Sequence, residues 1–252
     1  MRKTILITGA SSGIGQATAM HLANEKHRLV LCGRRVDKLE ELKSSLSTTT
    51  EVITLEFDVR DKEKVFSQIA SLPDAFSQID VLINNAGNAH GLSPIQEGSV
   101  DDWDAMIDIN VKGLLYVSKA VVGGMVARKT GQIINIGSIA GKEVYANGNV
   151  YCASKFAVDA LSKAMRIDLI GLGIKVSEIN PGAVETEFSL VRFKGDKDKA
   201  SKVYEGFTPM TASDIAEIIA FVINRPPHVN ITDLTVLASR QASANLIYRD
   251  SI

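Results

Sequence analysis

The stretch Thr4-Ile5-Leu6-Ile7-Thr8-Gly9-Ala10-Ser11-Ser12-Gly13-Ile14-Gly15 decides how the rest of the chain is read. A short apolar run without alternation predicts a strand buried on both faces. It runs into a Gly/Ser loop, and a helix-like segment follows to about residue 26. The glycines recur as G-x-x-x-G-x-G at the strand-to-helix turn. A phosphate pair needs main-chain N–H groups without a Cβ in the way, and a helix N-terminus aimed at its charge. Residues Gly9, Ser11, Ser12, Gly13, Ile14 and Gly15 are therefore candidate cofactor contacts. The loop lacks Gly-Lys-Ser/Thr, which separates it from a nucleoside triphosphatase P-loop.

Outward from this turn the same alternation continues. Apolar runs at 28–32, 52–57, 79–83, 132–136, 175–179 and 234–237 predict further strands. Between them, 36–46, 62–71, about 100–128, 149–172 and 212–222 read as helices. Alternation of this kind predicts a single-domain, Rossmann-like, doubly wound parallel sheet of about seven strands with helices on both faces. Ligands then bind at the carboxyl ends of the strands. The domain is expected to span residues 1–252, and the polar, Lys-rich segment at about 184–208 reads as a mobile lid or short helices.

Composition narrows the class. With 28 Lys+Arg against 29 Asp+Glu the chain lacks the basic footprint of a nucleic-acid or anionic-membrane binder. No apolar run of about 18 residues predicts a membrane span. The apolar run near the start is shorter than a signal-peptide core of roughly 7–15 residues. Two cysteines, Cys32 and Cys152, are too few for a disulfide framework and predict a reducing, cytoplasmic compartment. The histidines at 21, 27, 90 and 228 show no ligand spacing, so no catalytic metal is expected. Ser99-Val100-Asp101-Asp102 resembles a helix cap, and Asp101, Asp102 and Asp104 read as a solvated first turn. Ser-x-x-Lys does not occur, which argues against β-lactamase chemistry.

The strand ends carry the remaining candidates. Gly33-Arg34-Arg35 closes the second strand, where an acid would meet a ribose 2′-hydroxyl and arginines match a 2′-phosphate. Arg34 and Arg35 therefore predict NADP(H) rather than NAD(H). Asp58-Val59 ends the third strand, where a carboxylate can meet an adenine edge, and Asn84-Asn85-Ala86-Gly87 ends the fourth, where small residues allow close approach. Ser138 follows the fifth strand. Tyr151 and Lys155, spaced i, i+4, lie on one helix face. A free tyrosine has a pKa of about 10, and a nearby ammonium lowers it. Such a tyrosine can exchange a proton with a carbonyl or alcohol oxygen. Cys152 points about 100° away from Tyr151 and reads as packing.

Together, Gly9, Gly13, Gly15, Asn84-Asn85-Ala86-Gly87, Asn110, Ser138, Tyr151, Lys155 and Pro181-Gly182 resemble the short-chain dehydrogenase/reductases in order and spacing over nearly the whole chain. The stretches 102–108, 148–151, 187–196 and 227–231 resemble the NADP-dependent 3-hydroxy acid dehydrogenase branch. Ala238, where that branch commonly has proline, leaves the path of the C-terminal tail open. The resemblance implies hydride transfer between a nicotinamide and a small 3-hydroxy acid, serine- or 3-hydroxyisobutyrate-like. It assigns Tyr151 as general acid/base, Lys155 as its support and a ribose contact, Ser138 as the residue orienting substrate oxygen, and Asn110 as the holder of a water. It places Asn85, Ala86, Gly87, Pro181, Gly182, Val184 and Thr186 along the cofactor, and implies a homotetramer formed through the two long helices. Arg192 is the expected cation for the substrate carboxylate. A broad carbonyl reductase, a non-catalytic NADP(H)-binding regulator and an interaction scaffold are the alternatives.

Overall fold

The computed structural model describes residues 2–250. Seven strands form one parallel sheet in the order β3-β2-β1-β4-β5-β6-β9. They are β1 (Thr4–Thr8), β2 (Arg28–Gly33), β3 (Val52–Glu56), β4 (Val81–Asn84), β5 (Gly131–Ile136), β6 (Ile174–Pro181) and β9 (Asp233–Val236). Two further two-residue strands, β7 (Val184–Glu185) and β8 (Met210–Thr211), pair with each other apart from the main sheet. The helices are α1 (Gly13–Asn24), α2 (Val36–Leu46), α3 (Lys62–Ala70), α4 (Asp74–Ser77), α5 (Val100–Ile107), α6 (Leu114–Arg128), α7 (Asn149–Leu169), α8 (Phe188–Arg192), α9 (Lys197–Lys202) and α10 (Ala212–Ile223).

The strands are apolar on both faces because both faces are covered. In β1, Ile5 and Ile7 join a core with α1, α2 and α10, through Leu22, Leu39, Ile215 and Ile219. Leu6, between them, faces the opposite core with Val65 of α3 and Val117 and Met125 of α6. The period of two thus persists, hidden in an apolar run because each neighbour meets a different helix layer. Full burial of a Leu or Ile side chain is worth about 1.5–3 kcal/mol, so these paired cores hold the sheet.

The sheet order reverses at β1, which pairs with β2 on one side and β4 on the other. A crevice opens there at the carboxyl ends of the strands. Thr8 and Asn85 fasten its two lips together. The Thr8 hydroxyl accepts from the N–H groups of Asn85 and Ala86 at 3.0 and 2.9 Å. The Asn85 amide donates to the carbonyl of Thr8 at 2.9 Å and of Gly9 at 3.2 Å.

The structure departs from the sequence expectation in one long element. Residues 100–128 form a continuous rod, but Asp108–Gly113 is a π-helical turn between α5 and α6. Such wide turns concentrate at functional positions, and this one contains Asn110. The rod Val100–Arg128 also has the length and mean hydropathy of a membrane-crossing helix, although no unbroken apolar run marks it. Val117, Val121 and Met125 are buried against the sheet, which makes it a core helix of this fold.

Candidate active site

A cavity of about 520 Å³ occupies the crevice. Gly9, Ser11, Ser12, Gly13 and Ile14 line one end, with Arg34, Arg35, Asp58 and Val59 beside them. Asn85, Ala86 and Gly87 form one wall, and Ser138, Tyr151 and Lys155 the other end. Pro181, Gly182, Val184, Thr186 and Arg192 close over the top. Two of the expected residues, Gly15 and Asn110, stand behind the wall rather than on it.

The glycine loop has the geometry of a phosphate cradle. Gly9 has φ +64°, a conformation that costs a residue with a Cβ. A Cβ on Gly15 would lie 2.4 Å from the Gly9 carbonyl oxygen and 2.5 Å from the Asn85 amide nitrogen. The first turn of α1 carries no acidic residue, and its N-cap Ser12 makes no side-chain cap hydrogen bond. The main-chain N–H groups of that turn therefore face the cavity without an internal competitor. Thr186 lies against Gly13 across the opening.

The two arginines at the end of β2 are held in different ways. Arg34 reaches Asp58 at 3.4 Å, and Asp58 is held more closely by Arg60 at 2.7 Å. Arg35 donates to the Ser11 hydroxyl at 3.2 Å and pairs with Glu187 at 2.9 Å. Glu187 belongs to the lid segment, so this pair ties the lid to the glycine-loop end of the cavity.

Asn110 is 2 % exposed. Its side-chain oxygen accepts from the Asn88 N–H at 2.9 Å, and its amide donates to the Asn88 carbonyl at 2.8 Å and to Ser154 Oγ at 3.0 Å. The amide is fully committed to holding the wall next to Gly87 and to α7.

Tyr151 and Lys155 lie one turn apart on α7, as their spacing predicts. Lys155 donates to the Ile136 carbonyl at 2.9 Å, and its Nζ is 6.0 Å from the centre of the Tyr151 ring. Burial lowers the Lys155 ammonium to about 8, against the opposing pull of Glu178. Burial pushes the Tyr151 phenol up to about 12, while the Arg192 charge and a hydrogen bond with Ser138 pull it down. The cation that pulls on the tyrosine is thus Arg192, its guanidinium carbon 4.8 Å from the ring centre, rather than the Lys155 ammonium the sequence points to. Ser138 is fixed by its own N–H, which donates to Asn180 Oδ1 at 3.1 Å.

Arg192, at the end of α8, also lies over the rings of Tyr145 and Phe188 and donates to the Tyr145 hydroxyl. Its Nε is a buried donor without a partner among the described residues. Tyr145 escaped the sequence reading because it is a lone aromatic in an irregular stretch, and Phe188 entered it only within the stretch 187–196; the fold gathers both around Tyr151. A Cβ on Gly148 would lie 2.2 Å from the Tyr145 ring, so a glycine at 148 seats that ring.

The segment 184–208 resolves into β7, α8 and α9. Asp102, expected to be solvated, instead pairs with Lys194 of this segment at 2.9 Å. The C-terminal tail, left open by Ala238, turns back at a bridge between Gln241 and Ile247. Gln241 accepts from the Ala183 N–H at 2.8 Å, Ala244 donates to Glu143 at 2.9 Å and Asp250 donates to the Gly206 carbonyl at 2.8 Å. The tail thereby straps the lid to the loop that carries Tyr145.

Residues 3–196 match the short chain dehydrogenase family, and the chain belongs to that family. It is 46% identical over 243 residues to an NADP-dependent 3-hydroxy acid dehydrogenase of Salmonella typhi, covering 96% of this chain and 97% of that protein. It is 45% identical over 250 residues to an NADP-dependent 3-hydroxy acid dehydrogenase of Schizosaccharomyces pombe, covering 98% and 96%. The closed form of a serine dehydrogenase complexed with NADP+ superimposes with a TM-score of 0.92 at 43% identity, covering 98% of this chain and 99% of that one.

Proposed function

We propose that this chain is an NADP-dependent dehydrogenase of small 3-hydroxy acids, serine-like or 3-hydroxyisobutyrate-like. The observation that carries it is Arg192: a guanidinium whose buried Nε has no partner among the described residues, set over the ring of a tyrosine able to exchange a proton. A carboxylate that paired with Arg192 would hold a neighbouring carbinol within the same pocket as Tyr151. The glycine cradle and the arginines at 34 and 35 fit a dinucleotide bearing a 2′-phosphate.

When bound, the nicotinamide supplies the hydride acceptor in oxidation and the donor in reduction. In oxidation the Tyr151 phenolate takes the substrate hydroxyl proton, and in reduction its phenol returns one to the carbonyl oxygen. Ser138 orients that oxygen. Lys155 supports the phenolate and would hold the nicotinamide ribose. Since the Asn110 amide is committed to Asn88 and Ser154, its main chain in the π turn is left to hold the water linking the site to solvent.

Assay with NADP+ against a panel of 3-hydroxy acids and simple alcohols tests the proposal. Turnover confined to the carboxylates is expected. Equal turnover of uncharged alcohols would favour a broad carbonyl reductase instead.

Two further features belong to the same proposal. A homotetramer forms through α6 and α7, whose outer faces expose Leu115, Phe156 and Ile167, the last 76 % exposed. Light scattering at four times the chain mass is the expected result. The compartment is cytoplasmic, in keeping with two buried free thiols.

A further inference from the structure

Behind Ser138 and Lys155 lies a charged cluster that the proposed chemistry does not use. Glu178, on β6, is 1 % exposed. Its Oε1 has no hydrogen-bond partner among the described residues. That oxygen is aimed under the residue preceding Ser138, since a Cβ on Gly137 would lie 2.5 Å from it. Lys142, which follows the short turn after Ser138, reaches Glu178 at 3.4 Å and also bonds Asp159 of α7 and Asp233 of β9. Asp159 is one turn beyond Lys155 and is bonded in addition by Lys163 at 2.6 Å. Arg166, further along α7, is turned to the main-chain carbonyls of Val176 and Thr232. Lys155 completes the set of charges facing Glu178 from α7.

Three carboxylates this close, with ligand atoms within 4.8 Å of one another, can hold a metal ion. Here the Lys142 ammonium already sits among them, so the cation is supplied by the chain. The cluster instead joins the parts that must stay in register. Lys142 links the Ser138 turn to α7, and that turn touches the Lys155 main chain, since a Cβ on Gly141 would lie 2.7 Å from the Lys155 carbonyl oxygen. Asn180 accepts from the Ser138 N–H and donates to Asp233 at 3.4 Å. Lys155 itself bonds Ile136, which pairs with Ile179 beside Glu178.

We propose that Glu178 is a positioning residue: from beneath Gly137, and through Lys142 and Asp159, it holds the Ser138 turn and the Lys155 helix in register while Tyr151 exchanges its proton. The proposal rests on the reading of Tyr151 and Lys155 as the proton-handling pair. Burial and the neighbouring Asp159 and Asp233 raise the Glu178 carboxyl to about 7 against the pull of Lys142, so it gains its charge as the pH rises toward the range where Lys155 would otherwise lose its own.

Glu178→Gln removes the negative charge and nearly keeps the shape. Removing a nearby negative charge lowers the pKa of both partners of a coupled pair. Both limbs of the kcat–pH profile for 3-hydroxy acid oxidation should move to lower pH, by roughly half a unit or more. The plateau should fall severalfold, with KM for NADP+ unchanged. Asp233→Asn, on the partly exposed edge strand, gives a smaller displacement of the same sign at less risk to folding. In parallel, the near-ultraviolet tyrosinate titration of each protein is compared with that of its Tyr151→Phe counterpart, which isolates Tyr151 without turnover. A displaced Tyr151 titration supports the proposal even where the wild type turns over no hydroxy acid, an outcome that sinks only the substrate reading. Two folded variants with the wild-type titration, whatever their thermal stability, would reduce Glu178 to a structural residue and overturn the proposal.

Discussion

The Arg192 guanidinium carbon lies 4.8 Å from the centre of the Tyr151 ring, nearer than the Lys155 ammonium at 6.0 Å. The two residues come from α8 and α7, so the lid segment places a cation beside the proposed proton-exchanging group. The same cation, proposed to bind a substrate carboxylate, pulls down a phenol that burial pushes up. On the proposed function, one arginine would couple recognition to chemistry.

Arg192→Ala separates those two roles. KM for a 3-hydroxy acid should rise by roughly 10- to 100-fold, the worth of a hydrogen bond to a charged group. The pH at which oxidation sets in should also move upward, because the Tyr151 phenolate loses a neighbouring cation. Tyr145→Phe, which removes the hydroxyl accepting from Arg192, should raise KM less and in the same direction. Steady-state kinetics across pH with one carboxylate and one uncharged alcohol reads both effects.

Cofactor choice is tested at the end of β2. Replacing Arg34 and Arg35 together by Ala should cut kcat/KM for NADP+ by roughly 10- to 100-fold and leave NAD+ little changed, since only the former carries the 2′-phosphate. Glu187→Gln frees Arg35 from its partner at 2.9 Å, and should tighten NADPH binding by titration calorimetry.

The two directions of reaction should respond oppositely to pH. Oxidation needs Tyr151 without its proton, so its rate rises with pH from neutrality. It levels off when Lys155, held to about 8 by burial, gives up the ammonium that supports the phenolate, because the Tyr151 phenol, pushed up to about 12, is still gaining charge there. Reduction needs the Tyr151 proton and is favoured at neutral and lower pH. Initial rates in both directions on one substrate pair check the sign.

Gly15→Ala tests the cradle. The added Cβ meets the Gly9 carbonyl and the Asn85 amide, both part of the fastening between β1 and β4. Overpacking of this kind costs about 1–3 kcal/mol. Thermal unfolding should show that loss, with NADPH affinity falling alongside it because the loop must open.

Much of this architecture is local and therefore legible in the chain. The bounds of α2 follow from its own periodicity, and Tyr151 and Lys155 need only a helix to face the same way. The glycine loop announces itself because main-chain approach requires residues without a Cβ. The π turn at Asn110 is different: it shifts the hydrogen-bond register without altering the apolar pattern, so periodicity reads one unbroken helix. Tyr145, the Lys142–Glu178–Asp233 cluster and the C-terminal strap join positions far apart in sequence. A lysine beside a serine turn and a glutamate inside a strand acquire meaning only when β6 and β9 bring them together. Asp102 looked like a solvated cap residue for the same reason, since its partner Lys194 lies 92 positions away on the lid.

Tyr151→Phe bears most directly on the account as a whole. The substitution removes one hydroxyl from a buried ring that also contacts Phe188 at 5.6 Å between centroids, so the pocket should keep its shape. With NADP+ and a 3-hydroxy acid, kcat should fall by about 100- to 10,000-fold, the contribution of a positioned general acid/base, while NADPH binds as in the wild type. Near-wild-type turnover by the folded variant would contradict the assignment of Tyr151 as the group that moves the proton.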